Sequence, residues 1–212
     1  ALPAELPLVQ DAQVRQVVWA GLINGLALGA VDPRTLLAAF EASFPVETND
    51  SLRHWGAQLV PRRMGIYLPV AERADATARI AAAASVALDG SCGLGAVTPA
   101  RLLARTSRDE ELLTAWAQGS SVPDALADDI DLRWSAFTRL AQLGLVDMDA
   151  VEEFAESDRT MSGAQKALTA KAIAPTAQAK AWAWEQLECN ADLSNYEALA
   201  VAEGVFSSPD LD

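Results

Sequence analysis

The stretch Leu132-Arg-Trp-Ser-Ala-Phe-Thr-Arg-Leu-Ala-Gln-Leu143, closed by Gly144, places Trp134, Phe137, Leu140, Ala141 and Leu143 at steps of three and four. On a helix of about 3.6 residues per turn these side chains share one face. The segment therefore reads as an amphipathic α-helix with its apolar stripe turned to a core. Gly144 takes the position at which helices end in a left-handed turn.

Outward from this segment, helix signals recur along the whole chain. Upstream, a helix runs from about Asp11 to Leu28 with Gly29 behind it. Gly21, Gly25 and Gly29 lie four apart on one face, a spacing that suits close packing of a neighbouring helix. Asp32-Pro33 pairs a cap with a proline at the first helical position, where its missing N–H costs nothing. That helix runs to about Phe44 and stops at Pro45. The next begins near Asn49-Asp50 and is expected to break at Pro61, and another covers about Val70 to Leu88. Asp89-Gly-Ser-Cys-Gly-Leu-Gly95 interrupts the pattern, and Thr98-Pro99 restarts it. Ser107-x-x-Glu110 reads as a capping box for a helix ending at Gly119. Ser162-x-x-Gln165 opens a helix, Pro175 opens the next through about Leu187, and Ser194-x-x-Glu197 opens a last one ending near Gly204.

No stretch alternates with period two, so no sheet is expected. Ten to twelve helices with short connections make sequential helices antiparallel neighbours. The expected fold is all-α: a superhelix of antiparallel helix pairs, HEAT/armadillo-like, with a concave face. Alanine is abundant and is the strongest helix former, in keeping with this. Residues 1–9 read as a linker from an upstream domain, 10–206 as one helical domain and 207–212 as a tail.

Charge and composition exclude several classes. The net charge is −13, and no basic run is longer than Arg62-Arg63, so no nucleic-acid partner is expected. From Asp147 onward there are 13 acidic and 4 basic residues, a solvated acidic face or a surface for basic partners. The uncharged run from Gln16 to Val31 is shorter than the ~20 residues a membrane span needs. No membrane association is expected. The start has no basic region followed by an apolar one, as a secretory signal would have, and Cys92 and Cys189 read as reduced thiols. A cytoplasmic location follows as an expectation.

For chemistry, the chain has a single histidine, His54. A His-Glu-x-x-His zinc motif needs two, one helical turn apart. No Gly-x-Ser-x-Gly elbow is present, and the loop Gly90 to Gly95 lacks the lysine of a phosphate-binding loop. No catalytic, cofactor or metal residue is therefore assigned. Four residues stand out as contacts for a peptide or another domain. Arg133, beside the buried stripe, has a fork that suits a peptide carboxylate, or one of the local carboxylates Asp129 and Asp131 at a helix junction. Trp134 follows it on the stripe. Trp182 and Trp184 are two apart on a helix, point in different directions, and leave at least one indole partly exposed for an interface.

Asp131-Leu-Arg-Trp134, with Leu140 and Gly144, then Asp158-Arg-Thr160, Ser162-Gly163, and Ala-Ile-Ala-Pro175-Thr-Ala-Gln-Ala-Lys180-Ala-Trp-Ala-Trp184 form a specific series. A weaker series lies upstream in Val-Val-Trp19-Ala-Gly-Leu and Phe-Pro-Val-Glu-Thr-Asn49. From about Gln10 to Gly204 the chain resembles the C-terminal domain of the bacterial aminopeptidase N family, the part related to the C-terminal domain of the endoplasmic reticulum aminopeptidases. The resemblance implies an α-helical superhelix without zinc, covering the cleft of an upstream domain that carries the zinc and the catalytic residues. It implies that this catalytic domain and peptide substrates are the partners, and that folded substrates are kept out. The alternative from the helical pattern is a stand-alone helical-repeat module that grips another protein on its concave face.

Overall fold

A computed structural model describes residues 2–207. Apart from Ser207, the expected tail lies outside the described residues. Among these the chain forms twelve α-helices and no strand, so it is all-α. They cluster as two compact units, Ala1–Ser107 with Pro123–Ala125, and Arg108–Val122 with Leu126–Asp212.

The first unit contains α1 (Leu2–Glu5), α2 (Ala12–Ala27), α3 (Pro33–Ser43), α4 (Asp50–Tyr67), α5 (Val70–Asp89) and α6 (Val97–Thr106). Side-chain caps start three of them as the sequence implies. Asp11 accepts from the Gln13 and Val14 amides, Asp32 from Arg34 and Asn49 from Leu52. Gly29 ends the α2 segment with φ +71°. Helix α3 packs against α2, α4 and α5, and it supplies Leu36, Leu37 and Phe40, each at most 1% exposed. The Phe40 and Phe44 rings stack 4.6 Å apart. The segment expected as a linker carries α1 and a 3-10 turn, Leu6–Leu8, and Leu6 is buried in the core.

Pro61 does not break its helix. Helix α4 runs through it, because Val60 and Met64 on either side are fully buried. Burying two such side chains stabilises by about 1.5–3 kcal/mol each, which offsets the ~3 kcal/mol that an interior proline costs. Nor is Gly90 to Gly95 a bare connector. Its second half forms a 3-10 turn, Gly93–Ala96, and Arg53 of α4 donates to Gly95 O at 3.1 Å and to Ser91 Oγ at 3.3 Å.

The second unit contains α7 (Glu110–Ala117), α8 (Ile130–Gln142), α9 (Met148–Ala155), α10 (Met161–Ile173), α11 (Ala177–Cys189) and α12 (Asn195–Phe206). Helix α8 packs on α7 and α10, and α10 also holds α9, α11 and α12. Three start signals lie elsewhere than expected. Asp109, not Ser107, caps α7; Thr160, not Ser162, caps α10; and Thr176, not Pro175, caps α11. In each case another residue able to cap lies within two residues of the expected one, and the local pattern does not decide between them. Ser194 and Glu197 do form a reciprocal capping box on α12. Gly204 lies inside α12 rather than at its end. A Cβ there would sit 2.6 Å from both Ala172 Cβ and Thr169 O, so this glycine allows α12 to approach α10.

Candidate functional site

Asp131-Leu-Arg-Trp134 forms the first turn of α8, started by the Asp129 carboxylate, which accepts from the Asp131 and Leu132 amides. This places Trp134 on the inner face of the second unit, where it is 1% exposed. Its indole packs edge-on against Phe154 at 4.7 Å and Phe137 at 6.2 Å. The indole N–H donates to Asp158 Oδ2 at 2.9 Å. The other carboxylate oxygen of Asp158 accepts from the Thr160 hydroxyl at 2.7 Å and the Thr160 amide at 3.3 Å. The Thr160 hydroxyl accepts in turn from Gly163 N at 3.0 Å. The Thr160 hydroxyl is the main cause holding the Asp158 carboxyl below its usual range, with burial opposing and Trp134 assisting.

Gly163 belongs to the same junction. A Cβ there would lie 2.2 Å from Asp158 O and 2.6 Å from its Cγ, so only glycine lets the α10 backbone come this close. Trp134, Asp158 and Gly163 are therefore buried parts of one junction, which the exposed Thr160 closes from the outside. Trp134 presents no surface to a peptide.

Arg133 is half-buried and pairs with neither Asp129 nor Asp131. Its Nε donates to Ala117 O at 2.9 Å, and its guanidinium lies over the Phe154 ring at 5.6 Å. It caps the end of α7 with a donor that a helix C-terminus favours. Asp131 instead accepts from Lys166. Trp182 is half-buried against the cluster Ala172, Ala183, Val201 and Val205, with Lys171 Nζ 5.6 Å over its ring. Trp184, 48% exposed, lies on the outer side of α11. Of the four residues singled out, only Trp184 offers a large apolar surface to a partner. Tyr196, Leu199 and Phe206 of α12 are likewise exposed.

In the first unit a recess of about 350 Å³ lies between α2 and the beginning of α4. Ala12, Gln13, Gln16 and Ala20 form one wall, and Asn49, Ser51, Leu52 and Trp55 the other. Trp55 is held edge-on by the buried Trp19, with centroids 6.4 Å apart and planes at 75°. No motif marks these residues in the sequence; the one available signal is the absence of charge from Gln16 to Val31. His54, on α4, is exposed. Cys92 and Cys189 are exposed free thiols. Among the described residues no three His, Cys, Asp or Glu side chains gather as a metal site would require, and no helix is long and apolar enough to cross a membrane.

No known family profile matches the chain. The chain is 38% identical over 101 residues to Aminopeptidase N of Streptomyces lividans. The match covers 48% of this chain and 12% of the length of that protein.

Proposed function

We propose that the chain is the helical C-terminal domain of a zinc aminopeptidase, inactive by itself, which caps the catalytic cleft of an upstream domain and restricts access to it. In this reading the helices form a HEAT/armadillo-like superhelix, the partners are the upstream domain and peptide substrates, and the enzyme is cytoplasmic. The observation that carries the reading is the 38% identity to an aminopeptidase N over nearly half of the chain. The series from Asp131 to Trp184 and the all-α architecture support it.

The residues of this chain do not fit a zinc site. One histidine cannot write the two-histidine motif, and no carboxylate cluster compensates among the described residues. Zinc and the hydrolytic residues then belong to the rest of the longer polypeptide. The contribution of this domain is steric: it lets an extended chain reach the cleft, keeps folded proteins out, and holds peptide away from bulk water.

The test compares the longer polypeptide with a version lacking this domain. Both are given a single-residue chromogenic amide and a long unstructured peptide, with a folded protein as competitor. Removal of the domain should leave hydrolysis of the small amide in place and make the enzyme sensitive to the folded competitor. Peptide hydrolysis by the 212-residue chain alone, with metal contamination excluded, would contradict the reading. So would a chain that works without any peptidase partner and instead binds an unrelated protein.

A further inference from the structure

We draw no further inference here: the strongest candidate, the uncharged outer face of α2 on which Val14, Val17 and Leu28 are exposed, is an unpartnered helix face, and nothing in the structure shows what covers it.

Discussion

The indole N–H of Trp134 on α8 and the Oδ2 of Asp158, 24 residues later, are joined by a hydrogen bond of 2.9 Å inside the second unit. Through Asp158 and Thr160 the bond ties α8 to the first turn of α10. Asp158→Ala removes the acceptor of a buried indole and the brace of Thr160. It should lower stability by about 1–3 kcal/mol, read from urea denaturation of the chain. Gly163→Ala places a methyl group against the Asp158 backbone and should cost about 2–3 kcal/mol. Little change in either variant would mean that the junction is not what joins the two helices.

Arg15 and Glu47 form the corresponding link in the first unit. The two side chains are 10% and 5% exposed, and their bidentate contact measures 2.6 and 2.9 Å. Arg15→Met strands a buried carboxylate and should destabilise by about 3–5 kcal/mol. Arg15→Met with Glu47→Leu should recover much of that loss, because desolvating an ion pair consumes most of its Coulombic gain. A double-mutant cycle measured by thermal denaturation checks both statements.

Stability should fall in acid through the same carboxylates. Burial alone would raise the Glu47 carboxyl, but hydrogen bonds from Arg15, Asn49 N and Thr48 N bring it below its usual range. Asp158 is also held low, chiefly by Thr160. A carboxyl lowered in the folded state stabilises the fold above its unfolded pKa, about 3.9 for Asp and 4.3 for Glu. That contribution is lost as pH falls through the folded value. Denaturation midpoints measured from pH 7 down to pH 3 should drop, and Glu47→Gln should flatten the acid limb. An unchanged slope in that variant would remove Glu47 from the explanation.

Pro61→Ala should raise the stability of the first unit by roughly 1–3 kcal/mol, since it restores a helical N–H and removes a ring clash in the middle of α4. A lower melting temperature would show that the proline ring itself packs in the core.

The two neighbouring tryptophans of α11 should separate cleanly. Trp182→Ala loses contacts with the Ala172, Ala183, Val201 and Val205 cluster and should cost about 2 kcal/mol, below the ~3–5 of a fully buried site. Trp184→Ala, on the outer side, should change the stability of the chain by less than about 0.5 kcal/mol. If Trp184 contacts another domain, the same variant should destabilise the longer polypeptide.

Several of these relationships were legible in the residues beforehand, and the division has a physical origin. The helices themselves follow from local chemistry: the apolar stripe from Trp134 to Ala141, the caps at Asp11, Asp32 and Ser194, and the left-handed glycines at 29, 119 and 144 are all decided within a few residues. A cap or a stripe depends on neighbours one turn away, which the order of residues lists directly. What Pro61 does was not legible, because the burial that carries α4 through it comes from residues distant in the chain. The same holds for the partner of Arg133, which is the Ala117 carbonyl and neither nearby carboxylate.

The candidate recess lies furthest from anything local. Gln13, Gln16, Asn49 and Trp55 carry no motif, and three tens of residues separate its two walls. By itself the sequence determined that this protein is all-α, where most of its helices start and stop, and that a single histidine cannot make a two-histidine zinc site. Only the tertiary structure decided which tryptophan is core and which is surface, why Gly163 and Gly204 must be glycine, and that an uncharged recess forms between α2 and the start of α4. Helix formation is settled by interactions within about four residues, whereas burial and close approach depend on contacts between segments far apart in the chain, and their energies are too nearly balanced to be read from local pattern.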